Sequence, residues 1–285
     1  YLNPSLKNLL PNPMHYLDME KAALRIADAV RLGQKIAIFG DYDVDGATAS
    51  SILKRYFNDL GASSLIYIPD RIEEGYGPNE KAIQHLWDVG ARVLVTVDCG
   101  TVSYEPLKAA KNIGFDTIVV DHHIGGDVLP EAYAVINPNR LDETTQHRYM
   151  CAAGVSFMLA VAVNKVLRES GFFESRQEPN LLKLLDLVAL GTVCDVMPLH
   201  GANRAFVAQG LKVLAQRTNT GLAALADISN LSEKPGVFHL GFMLGPRINA
   251  GGRIGEASLG ARLLTTSDMA EAREIAQILS KLNEE

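Results

Sequence analysis

From residue 19 to about residue 136, segments with apolar residues at helical spacing alternate with short runs that are apolar throughout. The runs predict strands at Lys35–Phe39, Leu65–Ile68, Val93–Val97 and Thr117–Val120, with a further strand at Ala134–Ile136. The helical segments predict helices at Met19–Leu32, Gly46–Leu60, Asn79–Val89 and Ser103–Asn112. Strands that are apolar on both faces and separated by helices indicate an α/β fold, in which helices cover both faces of a parallel sheet.

The pattern becomes mainly helical after residue 150. Helices are predicted at Cys151–Glu169, Leu181–Leu190, Asn203–Gln216 and Ser267–Leu282, whereas Gly171–Asn180 is predicted to be a linker and Asn230–Gly255 to be irregular. We therefore expect four parts: an N-terminal arm at residues 1–18, an α/β domain at 19–200, a helical and glycine-rich segment at 201–266, and the start of a connecting helix at 267–285.

Composition narrows the class of protein. The length of 285 residues is enough for one large domain or two. The hydrophobic fraction of 47% excludes global disorder. The formal net charge of −6 excludes a general basic coat for nucleic acid, although a cluster of metal-binding carboxylates also makes a chain acidic. Three cysteines without paired spacing indicate a reducing cytoplasm, and no apolar stretch approaches the ~20 residues of a membrane span.

The first candidate site is the acidic turn Gly40–Gly46, which follows the first predicted strand. Its three aspartates, Asp41, Asp43 and Asp45, have no Lys or Arg within the segment, so bringing them together is unfavourable unless a cation lies among them. A solvated acidic turn, or a helix N-cap formed by one aspartate, is the alternative interpretation. A calcium loop is disfavoured because the glutamate that should end it is missing.

Two more predicted strands are followed by side chains that can bind a metal ion. Asp98 follows the strand Val93–Val97, and Asp121, His122 and His123 follow Thr117–Val120. A single aspartate at such a position more often caps a helix, and a single histidine is more often buried in the core with its hydrogen bonds satisfied. The same alternative applies to Asp195, which follows an apolar helix. Parallel strands place their carboxyl ends on one edge of the sheet, however, so the coincidence predicts one metal site.

Aspartate-rich ligands with imidazole suit two Mn²⁺ or Mg²⁺ ions better than zinc. Two such ions ~4 Å apart favour phosphoester hydrolysis, with Asp98 predicted to bridge them. The segment Gly245–Gly255 adds four glycines, whose backbone N–H groups can be exposed, and the forked donors of Arg247 and Arg253. These predict a phosphate cradle. The alternative is a flexible connector whose arginines face water.

Together the motifs GDYDVDG, VDCG, DHH, GTVCDVMPL and GPRINAGGRIG resemble those of the DHH phosphoesterase superfamily, and in this order those of its RecJ-type branch. The resemblance covers essentially the whole chain. It implies a DHH-type catalytic α/β domain and a nuclease that uses two Mn²⁺ or Mg²⁺ ions to degrade single-stranded DNA in the 5′→3′ direction during repair and recombination. It also implies a single-strand-binding protein and a recombination helicase as partners.

The same resemblance assigns roles to residues. It implies that Asp98 bridges the metals, that Asp121 supports His122 or binds metal directly, and that His123 lies near the scissile phosphate as part of the ligand shell or as an acid or base. The implied metal ligands are Asp41, Asp43, Asp45, Asp98, His122 and Asp195, and the implied substrate phosphate ligands are Arg247, Asn249 and Arg253. Several relatives carry histidine at the position of Phe39, so one ligand is expected to be missing here.

The RecJ-type proteins continue into further C-terminal domains, which we expect to be absent from this chain. Without these domains, we expect the chain to bind single-stranded DNA more weakly. Two other functions fit parts of the pattern. The first is a phosphodiesterase for short RNA or dinucleotides with the same ligands, and the second is a non-catalytic relative that serves replication. Retention of all the aspartates and both histidines disfavours the second.

Overall fold

The computed structural model describes residues 4–70, 74–252 and 256–284. Its sheet consists of β1 (Lys35–Gly40), β2 (Ser64–Tyr67), β3 (Ala91–Val97), β4 (Asp116–Val120) and β5 (Ala134–Ile136). The order is β2-β1-β3-β4-β5 and every pairing is parallel. The predicted parallel sheet is confirmed, including its short fifth strand.

Helices cover both faces of this sheet, as predicted. The α-helices that the structure describes are α1 (Leu6–Leu9), α2 (Met19–Arg31), α3 (Val44–Asp59), α4 (Glu80–Asp88), α5 (Tyr104–Ile113), α6 (Ala152–Glu169), α7 (Leu185–Cys194), α8 (Gly201–Ala215), α9 (Thr220–Ile228), α10 (Gly245–Gly251), α11 (Leu259–Thr265) and α12 (Met269–Glu284). Helices α2, α3 and α6 pack on one face in the larger core, and α4 and α5 cover the other face.

The central strand β1 shows why both faces must be covered. Its Ile36 and Ile38 belong to the larger core, whereas Ala37 and Phe39 belong to the core under α4 and α5. Successive side chains of a strand point to opposite faces, so an apolar strand buries both of them. Burial of each isoleucine contributes about 1.5–3 kcal/mol, which would be lost if the layer formed by α2, α3 and α6 were removed.

The C-terminal half is helical, as predicted, but its details differ. Helices α9 and α11 were not predicted, and the expectation of an irregular segment is wrong for residues 239–251, which form the π-helix His239–Leu244 followed by α10. Glycines in this segment serve close packing rather than loop flexibility. A Cβ on Gly245 would lie 2.4 Å from the Cys194 sulfur, and one on Gly252 would lie 3.2 Å from the ring of Tyr42.

The N-terminal arm is more ordered than its proline content suggests. Besides α1 it contains the 3-10 turn Pro13–His15, and the backbone N–H of Leu17 donates to the Glu143 carboxylate at 3.0 Å. Among the residues that the structure describes, no helix is both long enough and apolar enough to cross a membrane.

The strand order positions the candidate site. The chain leaves β1 toward β2 on one side and returns to β3 on the other, so the direction of winding reverses between β1 and β3. A crevice opens at the carboxyl ends of parallel strands at such a point, and ligands bind there. The turns after β1, β3 and β4 are neighbours on this edge.

Candidate metal centre

The acidic turn after β1 is a tight connection into α3. The side chain of Asp43 caps this helix by accepting a hydrogen bond from the Gly46 N–H at 2.9 Å, so the N-cap interpretation is correct for this aspartate. Position 46 must be glycine because a Cβ there would lie 2.5 Å from the backbone oxygen of Asp41. The turn therefore brings its carboxylates together at the start of α3.

Asp45 connects the turn to the helical half of the protein. Its two carboxylate oxygens accept hydrogen bonds from the backbone N–H groups of Ala152, at 2.6 Å, and Ala153, at 2.9 Å. These are the first two residues of α6, where the partial positive charge of the helix N-terminus stabilises an anion. Gly191 on α7 packs against the same carboxylate, because a Cβ there would lie 3.0 Å from an Asp45 oxygen.

Asp98, at the end of β3, has an unusual backbone conformation. Its φ of 61° lies in the left-handed region, which few residues other than glycine adopt, and its N–H donates to the Val120 carbonyl of β4 at 3.0 Å. The Tyr76 hydroxyl donates to the Asp98 carbonyl at 3.1 Å. The bond to Val120 holds this buried residue beside the end of β4.

The two histidines after β4 have different partners. The Nε2 atom of His122 lies 3.2 Å from an oxygen of Asp98 and 3.6 Å from oxygens of both Asp45 and Asp195. The Nδ1 atom of His123 lies 2.7 Å from Asp121. Of the two supporting roles considered for Asp121, contact with a histidine ring is the one in the structure, but the ring is that of His123 rather than His122.

Three groups of side chains have ligand atoms close enough to share an ion, all within 4.8 Å of one another. They are Asp41, Asp43 and Asp98; Asp98, His122 and His123; and Asp45, His122 and Asp195. Asp98 and His122 each belong to two groups, so the groups form one continuous centre. The set contains every predicted metal ligand, and Asp121 lies outside it.

The chemistry of these atoms fits divalent cations. One carboxylate oxygen of Asp98 and one of Asp195 are buried without a hydrogen-bond partner, although uncompensated buried carboxylates are costly. Both oxygens are those that lie near the Nε2 atom of His122, inside the groups above. Oxygen and imidazole donors suit Mn²⁺ and Mg²⁺, and a cation there would supply the missing partner.

Burial and the closeness of the carboxylates also shift the pKa values of the groups at the centre. Burial, followed by repulsion from Asp45, raises the pKa of Asp98, and burial together with Asp45 and Asp43 raises the pKa of Asp195 to about 7. Burial lowers the pKa of His122, which favours the neutral form that ligates metals. Burial also opposes ionisation of Asp121, but hydrogen bonds from His123 and Thr101 outweigh it and lower the pKa of Asp121.

Two of the predicted phosphate ligands, Arg247 and Asn249, form hydrogen bonds with the protein itself. The Arg247 guanidinium donates to the Met243 carbonyl at 2.7 Å and to the Ser280 hydroxyl at 3.2 Å, so these bonds hold it between the π-helix and α12. Asn249 reaches the acidic turn, where its side-chain oxygen accepts the Val44 N–H at 3.1 Å. Arg253 lies outside the described residues. Because α10 is helical, the described glycines form no open phosphate cradle, contrary to the prediction.

Phe39, at the position where several relatives are expected to carry histidine, has no side-chain atom that could bind a metal ion. Its ring is fully buried and stacks on Tyr67 with ring centres 5.5 Å apart, in the core under α4 and α5. Sequence reasoning missed two asparagines that contact the histidine segment, Asn137 and Asn139. Both follow β5, and applying the strand-end argument to this last strand would have found them.

The part of the chain that contains this centre is similar to known proteins. The profile of the DHH family, N-terminal domain, matches residues 35–192, which contain every residue of the three groups except Asp195. The single-stranded-DNA-specific exonuclease RecJ of Escherichia coli (strain K12) is 40% identical over 288 residues, covering 99% of this chain and 50% of that protein. The Bacillus subtilis (strain 168) RecJ is 37% identical over 279 residues, covering 96% and 33%.

Solved structures agree with these relatives. A crystal structure of exonuclease RecJ bound to manganese superposes with a TM-score of 0.84 at 36% identity, covering 97% of this chain and 67% of that one. RecJ from Thermus thermophilus in complex with Mn²⁺ gives a TM-score of 0.81 at 33% identity, covering 97% and 38%. The chain spans about half the length of the first curated relatives that it matches. By its sequence, its parallel sheet and the groups of ligands at the strand ends, the chain belongs to the DHH family.

Proposed function

We propose that this chain is the catalytic core of a metal-dependent 5′→3′ exonuclease that hydrolyses single-stranded DNA to 5′-mononucleotides in DNA repair and recombination. The observation that carries the proposal is the continuous centre in which Asp98 and His122 each join two groups of ligand atoms. The relatives are named single-stranded-DNA-specific exonucleases, and two similar solved structures of RecJ are described as bound to Mn²⁺.

Two Mn²⁺ or Mg²⁺ ions, when bound, would supply an activated water and would neutralise charge on the phosphoryl oxygens. The residues that would hold them are Asp41, Asp43, Asp45, Asp98, His122 and Asp195. Asp98 would serve both ions, and its membership of one group with Asp41 and Asp43 and of another with the two histidines supports this role. On the family resemblance alone, we also propose a cytoplasmic location. The partners proposed on the same basis are a single-strand-binding protein and a recombination helicase.

His123 is the proposed proton donor to the departing oxygen. Its Nδ1 atom is engaged by Asp121 at 2.7 Å, which leaves Nε2 to face the substrate, and half of its side chain is exposed. The hydrogen bond that the His123 ring donates to Asp121 raises the pKa of His123, so the imidazole keeps its proton to a higher pH. A group of this kind contributes about 10²–10⁴-fold to rate. Arg247, Asn249 and Arg253 remain the proposed ligands of substrate phosphates.

The test is digestion of a long single-stranded DNA, labelled separately at each end, beside a labelled dinucleotide in Mn²⁺. We expect release of the 5′ label as a mononucleotide and slow cleavage of the dinucleotide. The Asp98→Ala variant is the control for a contaminating nuclease. Cleavage of the dinucleotide alone would favour a small-substrate phosphodiesterase, and absence of Mn²⁺ binding would favour a non-catalytic role.

A further inference from the structure

The turn Asn137-Pro138-Asn139, directly after β5, contacts the histidine segment through its two side-chain amides. Asn137 is fully buried, and its amide nitrogen donates to the His123 carbonyl at 2.8 Å and to the Thr101 hydroxyl at 2.9 Å. Its side-chain oxygen accepts the Asn139 N–H at 2.8 Å. The Asn139 amide nitrogen donates to the His122 carbonyl at 2.5 Å.

The bonds of Asn137 close a ring that runs through three strand ends. The Thr101 N–H donates to one oxygen of Asp121 at 3.1 Å, and the other oxygen of Asp121 contacts the His123 ring. Asn137 completes the ring by joining Thr101 to the His123 carbonyl. The backbone and the ring of His123 are therefore fixed by the same closed set of bonds.

From this geometry we infer that Asn137 and Asn139 are positioning residues, Asn137 for the proton-donating His123 and Asn139 for the metal-ligating His122. The inference rests on the proposed function. A hydrogen bond that closed only the local turn would end within residues 137–139, as the bond from the Asn139 N–H does. The side-chain amides of both asparagines instead donate to the carbonyls of the two histidines, about 15 residues earlier in the chain.

The two asparagines are expected to affect different measurements. The Nε2 atom of His122 lies within 3.6 Å of three carboxylates, so a small rotation of its backbone moves it out of the metal groups. Polar residues that orient metal ligands typically contribute about 10–100-fold in metal affinity or activity. Loss of the Asn139 bond should therefore weaken metal binding, whereas loss of the Asn137 bonds should slow the chemical step.

The test compares Asn139→Asp and Asn137→Asp with Asn219→Asp. Aspartate keeps the shape of asparagine and removes the donor. Asn219 is the matched control because it is also buried, its amide donates to the Leu264 carbonyl at 3.3 Å and it lies outside the metal groups. The readouts are Mn²⁺ affinity, from the electron paramagnetic resonance of free Mn²⁺, and kcat and KM on single-stranded DNA at saturating Mn²⁺.

We expect Asn139→Asp to weaken Mn²⁺ binding by about 10–100-fold, although its added negative charge alone would strengthen binding. We expect Asn137→Asp to lower kcat by a similar factor, with KM and Mn²⁺ affinity close to wild type. If Asn137→Asp fails to fold, Asn137→Ser, which keeps one donor, should lose less kcat than Asn137→Ala.

Unchanged Mn²⁺ affinity in both Asn139→Asp and Asn139→Ala, or an equal loss in Asn219→Asp, would overturn the role of Asn139. A wild-type kcat in Asn137→Asp or Asn137→Ala would overturn the role of Asn137. A wild-type protein that binds Mn²⁺ but cleaves no DNA would instead refute the proposed function, and the affinity comparison for Asn139 would still stand.

Discussion

Replacing Asp195 by asparagine should stabilise the metal-free protein and weaken the metal-bound one. The side chain of Asp195 is 24% exposed and lies just beyond the C-terminus of α7, where the helix dipole disfavours negative charge. Burial and the carboxylates of Asp45 and Asp43 raise its pKa to about 7. Asparagine keeps the shape of the side chain and removes the charge that its neighbours repel.

The pKa difference sets the size and the direction of the effect. The folded value of about 7 lies about 3 units above the ordinary value of 3.8, and each unit corresponds to about 1.4 kcal/mol. Because the folded pKa is raised, the stability that this group contributes is present below pH 4 and is lost as pH rises through 7. Above pH 7 the repelled carboxylate therefore costs up to about 4 kcal/mol, or about 8 °C in Tm for a chain of this length.

The assay is thermal unfolding of wild type and Asp195→Asn in EDTA, and again in excess Mn²⁺, between pH 5 and pH 8. In EDTA, the Tm of wild type should fall relative to that of the variant as pH rises, and the variant should be more stable at pH 8. In Mn²⁺ the order should reverse, because wild type binds the cation more tightly and binding to the folded state adds stability.

A lower Tm for Asp195→Asn than for wild type in EDTA at pH 8 would refute this reasoning. It would mean that the carboxylate makes a favourable contact without metal. A Tm difference in EDTA that did not change with pH would equally contradict the raised pKa. Asp227→Asn is the control, since Asp227 is an exposed carboxylate paired with Arg217 away from the centre, and its effect on Tm should be small at every pH.

Three further substitutions test separate parts of the structure. Asp98→Ala should abolish nuclease activity and lower Mn²⁺ affinity with little loss of fold; retained activity would refute its bridging position. Asp121→Asn should lower kcat by about 10²–10⁴-fold at unchanged Mn²⁺ affinity, and a wild-type kcat would contradict proton donation by His123. Gly245→Ala should cost about 1–3 kcal/mol in denaturant unfolding because its Cβ would lie 2.4 Å from the Cys194 sulfur, and Gly236→Ala, whose Cβ would lie 3.6 Å from its nearest neighbour, should be tolerated.

Much of the α/β half could be predicted from local patterns. An apolar run such as Val93–Val97 predicts a buried strand because a parallel sheet covered on both faces leaves no polar side. The polar residues Asp98 and His122 follow such runs, and parallel strands bring their carboxyl ends to one edge whatever the intervening helices contain. Periodicity and the position of a residue after its strand were therefore sufficient to predict that these side chains lie at one edge of the sheet.

The glycine-rich segment shows the limit of this reasoning. Glycine in a sequence indicates either a flexible turn or a close contact, and local pattern does not distinguish them. Gly245 is helical and packs against Cys194, some 50 residues earlier in the chain. Similarly, a donor-rich residue such as Arg247 can bind a phosphate or the protein itself, and in this fold it donates to Met243 and Ser280.

The sequence by itself determined the strands and helices of residues 19–136 and which kinds of side chain lie at the carboxyl edge of the sheet, because hydrophobic period and strand polarity are local properties. Only the tertiary structure decided which histidine Asp121 supports, that Asp45 is held by the N-terminus of α6, and that Asn137 and Asn139 brace the histidine segment. The partners in these contacts belong to different elements, and hydrogen bonding depends on distance and direction in space. Those are set only when the helices and strands have packed together.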